Sequence, residues 1–218
     1  MTHHSKQRAF VPAAGSDWLL PFYDPFTRLL GTESALQRLV EQAQLTAGQQ
    51  VLDLGCGTGA LSLLAKRLRP GVEIVGLDPD AKALARARRK AERGALALRF
   101  EQGFGDSLPF PDASFDRVLS SFMFHHLETA QKPAVLREVL RVLRPGGALH
   151  LVDFGGTGHG LGAFLARLVH REESLRANTD DALTALMRAA GFAEAAETQR
   201  SGSRFGQLIY YRAGSARA

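Results

Sequence analysis

Gly55, Gly57 and Gly59 alternate through VLDLGCGTGA (51–60), between an apolar run and a helical pattern. A glycine-rich turn between strand and helix lets a ligand touch main-chain N–H groups directly, while the helix start that follows favours an anionic group. Asp78 ends the next apolar run, 19 residues past Gly59. An ionised carboxylate only accepts hydrogen bonds, and it can take two hydroxyls of a sugar at once. The pairing points to a nucleotide-like ligand. GCGTGA (55–60) also satisfies the dinucleotide pattern G-x-G-x-x-A, so nicotinamide and other adenosine cofactors both stay open on these residues alone. His125 and His126 follow the apolar run 116–122 and are the candidates for proton transfer, since imidazole exchanges protons near neutral pH. The alternative for each is packing or capping of the turn that follows.

These residues need a scaffold that brings strand ends together. Thr32 caps a helix whose apolar positions Leu36, Leu39, Val40 and Ala43 follow helical spacing, and Gly48 ends the segment before the first strand. QVLDL reads as the first strand, Ala60–Leu68 as a helix stopped by Pro70 and Gly71, and VEIVGLD as a second strand. Residues 80–94 form a third helix closed by Gly94, and short strands are expected over 96–100 and 116–122. A helix over 132–147 places Val135, Leu136, Val139, Leu140 and Leu143 on one face, and 148–154 is a further buried strand. Apolar strands alternating with helices imply a parallel sheet covered on both faces, with ligands bound beyond the strands' carboxyl ends. The ending differs: after a helix led by Thr179, Asp180 and Asp181 and stopped at Gly191, strands AEAAET and FGQLIYY are joined by QRSGSR, which predicts a hairpin and one antiparallel strand.

The 218 residues and 45% hydrophobic content suit one core. The organisation expected is a flexible leader over 1–16, a single domain over 17–213 with an N-terminal helical element, and a flexible tail over 214–218. His3 and His4 fall in that leader, where no metal site is expected. The net charge of +5 and pI near 9.8 are weak evidence for a polyanionic partner, because RARRK (86–90) reads as a solvated helix face. Cys56 is the only cysteine, which excludes an internal disulfide and a cysteine-based zinc site and fits a reducing cytoplasm. No stretch has the apolar length of a bilayer span, and no signal-peptide core is seen.

VLDLGCGTG, VGLDPD, GDSLPFPDASFDRVLSSFMFHHL and EVLRVLRPGGALHLVDF, in this order over roughly 20–155, resemble the class I S-adenosylmethionine-dependent methyltransferases. The likeness is to the small-molecule branch that includes the ubiquinone/menaquinone C-methyltransferases. The resemblance implies an α/β, doubly wound Rossmann-like sheet of seven strands in the order 3-2-1-4-5-7-6, with strand 7 antiparallel. It implies S-adenosyl-L-methionine as cofactor, S-adenosyl-L-homocysteine as product, and methyl transfer to a small acceptor at oxygen, nitrogen or carbon. Carried over residue by residue, Gly55, Gly57 and Gly59 lie under the methionine and ribose, with Cys56 in the same loop. Asp53 positions the amino end and Asp78 takes the ribose hydroxyls. Leu77 and Pro79 flank the adenine, Asp106 accepts from its exocyclic amine, and Gly105 and the Ser107 backbone complete that edge. Tyr23 matches an element that folds over the cofactor; an aromatic helix anchor is its other reading. Phe122 joins the cofactor contacts, and Phe22, Phe26, Met123 and Phe124 line an apolar pocket or belong to the core.

The short segment after the fifth strand, with His159, Arg167, His170 and Arg171, falls where the family carries its substrate insert, and GGTGHGLG (155–162) reads as a loop able to move. Three alternatives are an RNA or DNA methyltransferase, for which no base-methylating Asn/Asp-Pro-Pro-aromatic element or appended module is seen; an NAD-dependent oxidoreductase, which leaves GDSLPFPDASFD unexplained; and a binding protein without catalysis. Monomer and homodimer are both open.

Overall fold

The structure, a computed structural model, describes residues 32–155, 180–203 and 206–217. In chain order these residues form α1 (Thr32–Gln42), β1 (Gln50–Leu54), α2 (Ala60–Leu68), β2 (Glu73–Asp78), α3 (Ala81–Arg93) and β3 (Arg99–Gln102). They continue with β4 (Phe115–Ser121), a 3-10 turn (Phe124–His126), α4 (Lys132–Val142), β5 (Leu143–Phe154), α5 (Asp180–Ala189), β6 (Glu194–Ser203) and β7 (Gly206–Gly214). One sheet runs β3-β2-β1-β4-β5-β7-β6. β1 is parallel to β2 and β4, β2 to β3, and β4 to β5, whereas β7 is antiparallel to β5 and β6. The expected order and the reversed seventh strand are both present.

Side chains that alternate across each strand divide the core into two layers. Leu52, Leu54, Val118, Leu149 and Leu151 face α4 and α5, where Val135, Leu136, Val139, Leu183 and Met187 are buried. Val51, Ile74, Leu119, Val152 and Tyr210 face α1 and α2, meeting Leu36, Leu39, Val40, Leu61 and Ala65. α3 covers the far end through Leu84, Ala87 and Ala91, packed with Cys56 and Phe100. Among the described residues no helix is long and apolar enough to cross a membrane.

Three element boundaries differ from the sequence expectation. α4 ends at Val142, and Leu143 is already extended and pairs with Phe115. Pro145 disfavours helical backbone in the residue before it, so RPGG loops out before pairing resumes at Ala148 with Arg117. β3 starts three residues late: Leu96 and Leu98 pack against the α3 layer as part of the connection. QRSGSR is mostly strand, since pairing continues from Gln199 with Tyr210 to Ser203 with Gly206. α3 does end at Gly94, but the left-handed residue is Ala95, φ 49°. Past β7, Gly147 O accepts from Ser215 N at 2.9 Å and Ala216 O from Gly146 N at 2.9 Å.

Candidate functional site

The carboxyl ends of β1, β2, β4 and β5 share one edge of the sheet, and the motif residues lie there. Gly55, Gly57 and Gly59 all adopt left-handed backbone, with φ of 72°, 52° and 80°. Space also excludes side chains: a Cβ at Gly55 would run into Met123, and one at Gly59 would lie 3.0 Å from Ala87 Cβ and 3.2 Å from the Phe100 ring. The loop's N–H groups are used by the protein itself. Gly55 N and Cys56 N donate to Leu77 O at 2.8 and 3.0 Å, Gly59 N to Cys56 O at 2.8 Å, and Gly57 N to Asp78 Oδ2 at 2.8 Å. The glycines therefore shape a turn that is fastened to the end of β2, so that the two halves of the nucleotide pattern form one rigid piece.

Asp78 closes that piece, its Oδ1 accepting from Asp80 N at 2.9 Å. Burial raises its pKa above the usual carboxylate value, against the pull of the Asp80 and Gly57 N–H groups. Asp80 caps α3 by accepting from Lys82 N and Ala83 N, and Pro79 O accepts from the Gln102 side chain at 2.9 Å. Asp53 lies beneath the loop, 1% exposed, with Oδ2 accepting from the Ser62 hydroxyl at 2.5 Å. Its Oδ1 is buried and has no hydrogen-bond partner among the described residues. Burial pushes this carboxyl up to about 7. Cys56, also buried, has its thiol held above the usual range by the same desolvation.

Asp106 stands in a tight turn closed by a bridge between Phe104 and Ser107, with Ser107 N donating to Phe104 O at 3.2 Å. Gly105 packs over the end of β1, its missing Cβ 3.4 Å from Leu54 and from Val135. After β4 the chain turns sharply at Phe122, φ 53°, with Phe122 N bonded to Val152 O at 2.9 Å. A non-glycine residue in that region marks a strained turn, and the turn here sets Met123 against the glycine loop. The Phe122 ring meets Phe154 at 5.1 Å.

The structure adds one residue that the sequence reading did not single out. Asp153, at the end of β5, is 1% exposed and accepts from His125 N at 2.9 Å; its Oδ1 lies 2.6 Å from His125 Nδ1. Its own burial would raise its pKa, but the adjoining His125, the Phe154 N–H and His126 outweigh that and hold it low. His125 is itself 4% exposed, and His126 stacks beside it with ring centroids 4.0 Å apart. Lys132, wholly buried at the start of α4, lies close enough for Asp153 to oppose the burial that lowers its pKa. An acid ending an otherwise apolar strand was the available signal for Asp153; its partner lies 28 residues away in sequence. Phe124 is wholly buried in the core rather than lining a pocket. Tyr23, Phe22, Phe26, His159, Arg167, His170 and Arg171 lie outside the described residues, as does most of 155–162. Among the described residues no group of three His, Cys, Asp or Glu side chains is placed to hold a metal ion.

Residues 51–147 match a family described as a methyltransferase domain. The chain is 42% identical over 139 residues to demethylmenaquinone methyltransferase of Thermus thermophilus, a match covering 62% of each protein. It is 39% identical over 153 residues to the enzyme of the same name from Deinococcus radiodurans, covering 69% of this chain and 63% of that one. The chain thus spans somewhat under two thirds of the length of these curated relatives. In fold it is similar to a SAM-dependent methyltransferase from Aquifex aeolicus, with a TM-score of 0.65 at 19% identity, covering 82% of this chain and 88% of that one. In the methyltransferase domain matched over 51–147, in its 3-2-1-4-5-7-6 sheet and in these relatives, the chain is similar to the class I S-adenosylmethionine-dependent methyltransferases, and among them to the ubiquinone/menaquinone C-methyltransferases.

Proposed function

We propose that this chain is an enzyme of the methyl-transferring class that moves a methyl group from S-adenosyl-L-methionine to a small-molecule acceptor at oxygen, nitrogen or carbon. The observation that carries the reading is the buried Asp53 Oδ1 beneath the glycine turn, which has no hydrogen-bond partner among the described residues. An acceptor atom withdrawn from water without a donor is costly, and a ligand ammonium supplies both the donors and the charge that burial denies. The donor set fits this cofactor: Asp53 for the amino end, and Gly55, Cys56, Gly57 and Gly59 as the floor. Asp78 would take the ribose hydroxyls, Leu77 and Pro79 the faces of the adenine, Gly105, Asp106 and Ser107 its edge, and Phe122 the wall on the β4 side. Tyr23 would complete the cover.

When bound, the cofactor supplies an already activated methyl, which leaves alignment and proton handling to the protein. His125 is the residue for the second task. With Nδ1–H donating to Asp153 Oδ1, the imidazole presents Nε2 as a lone-pair acceptor, and the carboxylate stabilises the imidazolium formed when a proton arrives. His126 is a second, weaker candidate stacked beside it. The relatives named for demethylmenaquinone support an acceptor that is small and partly apolar. A single domain over 17–213, acting in the cytoplasm as a monomer or homodimer, completes the proposal.

The test is a calorimetric titration with S-adenosylhomocysteine. Asp78→Ala is expected to weaken binding at least about tenfold, a loss of ~1.4 kcal/mol or more, in keeping with loss of a charge-assisted hydrogen bond. Equal affinity in the two proteins refutes the site assignment.

A further inference from the structure

We propose that Glu138 and Arg141 of α4 are positioning residues for recognition of the adenine ring: their ion-pair fork holds the loop that carries Asp106 and aims its carboxylate at the base. This inference rests on the methyltransferase reading above. The segment 103–114 joining β3 to β4 contains only the Phe104–Ser107 bridge as regular structure. A loop of this length has little of its own to fix it. Main-chain bonds tie its two ends, Gly103 N to Asp78 O at 3.2 Å, Ala113 N to Arg141 O at 3.0 Å and Ser114 N to Val142 O at 2.8 Å, and between them it is held by side-chain chemistry from a helix some thirty residues further on.

Glu138 Oε2 accepts from Leu108 N at 2.8 Å. Arg141 grips the same carboxylate with two bonds, Nε to Oε1 at 2.8 Å and Nη2 to Oε2 at 2.7 Å. Its remaining donors go to the loop: Nη2 to Leu108 O at 3.1 Å, and Nη1 to Phe110 O at 2.8 Å and to Asp112 Oδ1 at 2.7 Å. A guanidinium has five N–H groups, and here five acceptors meet them. The pair at i,i+3 would add only a few tenths of a kcal/mol to an isolated helix, so its geometry is explained by what it reaches. Both main-chain polar atoms of Leu108 are held, and Leu108 is buried beside Val135 and Val139. Asp106 lies two residues away, in the turn closed by the Phe104–Ser107 bridge. Arg141 also lowers the Glu138 pKa, mainly by the hydrogen bonds it donates, which keeps the fork ionised.

The geometry makes a prediction that mere structural support would not make. S-Inosylhomocysteine differs from S-adenosylhomocysteine in presenting a carbonyl where adenine has its amine, so a carboxylate aimed there repels it. The wild-type protein is expected to prefer the adenosyl compound by about tenfold or more, since the analogue leaves a polar pair unmatched. Lysine has three donors and no planar fork. Arg141→Lys is therefore expected to cut that preference to within about threefold, chiefly by weakening the adenosyl compound. Glu138→Gln, which keeps the volume and an acceptor for Leu108 N, is the second variant should the first fail to fold, and Arg137→Lys on the exposed side of α4 is the control. A preference that survives in both variants overturns the proposal, as does an equal loss of affinity for both compounds, which would mark general loosening. A wild-type protein that binds both compounds equally well overturns the role of Asp106. One that binds neither overturns the methyltransferase reading itself, and this inference with it.

Discussion

Substituting Asp53 by asparagine tests the buried carboxyl at the heart of the crevice, and its effect should depend on pH with a defined sign. The Asp53 carboxyl is pushed from the ordinary 3.8 to about 7, burial being the largest cause and the Ser62 hydroxyl a partial offset. In that window the unfolded chain has released a proton that the folded chain retains. Each unit of rising pH then removes about 1.4 kcal/mol of stability, and the loss is complete once pH passes about 7. From pH 5 to pH 8 the wild-type protein should lose up to about 3 kcal/mol through this residue alone. The asparagine amide carries no such proton. Whatever constant cost that amide brings, the stability of Asp53→Asn relative to wild type should improve by that amount between pH 5 and pH 8. Urea denaturation of both proteins without ligand measures it, and taking the difference at each pH cancels groups common to both. S-Adenosylhomocysteine provides the complementary arm. Its ammonium favours the ionised carboxylate, so wild-type affinity should climb with pH below 7 and level off above, while the variant shows a flat, weak profile. A stability difference that does not change with pH refutes the reasoning.

Asp153→Asn should leave S-adenosylhomocysteine affinity within about threefold while lowering methyl transfer by roughly a hundredfold or more, the range of a general base. Independently of any acceptor, the downfield Nδ1–H proton resonance of His125 should vanish from NMR spectra of the variant; its persistence would refute the pairing. His150 is buried on β5, and burial with the nearby Arg117 and Arg212 lowers its pKa to about 3. The folded chain therefore resists a proton that the unfolded chain accepts below about 6.5, and stability falls as pH drops from there towards 3. His150→Leu should abolish about 2 kcal/mol of the loss between pH 6.5 and 5, as read by denaturation at the two pH values. Gly59→Ala should cost about 1–3 kcal/mol in the same experiment, because alanine at φ 80° is strained and its methyl would crowd Ala87 and Phe100.

The parts of the molecule that were legible in the sequence are those where one local rule decides. Gly55, Gly57 and Gly59 mark a turn that excludes side chains, and Ala60–Leu68 stops where Pro70 requires it. Apolar runs separated by helical patterns fixed a parallel sheet, and two strands near the end of the chain fixed a reversed neighbour. What escaped depends on partners distant in the chain. Asp153 is one acid after ALHLV until His125 meets it, and Glu138 and Arg141 read as the polar side of a helix until Leu108 and Phe110 arrive beside them. QRSGSR looked like a turn because it is polar and contains glycine, but β6 is the outermost strand of the sheet, and an edge strand tolerates that composition. The loop N–H groups also had a destination the sequence could not give: Gly57 N goes to Asp78.

Besides Asp80, which caps α3, three carboxylates near the ends of β1, β2 and β5 are buried, and they divide by what answers them. Asp153 has its partner inside the protein, the His125 imidazole, and its pKa is held low. Among the described residues Asp53 and Asp78 have hydroxyl and amide donors only, and both are raised. Burying an ionisable acid without a matching cation costs stability, and two such residues under one glycine turn are not explained by folding. They are explained if the missing donors come from outside: an ammonium for Asp53 and hydroxyls for Asp78. The self-sufficient pair then belongs to the opposite wall, where a base must already be oriented before any acceptor arrives. On the proposed reading, cofactor recognition falls to the acids that folding leaves under-satisfied, and proton transfer to His125, oriented by the acid that it satisfies.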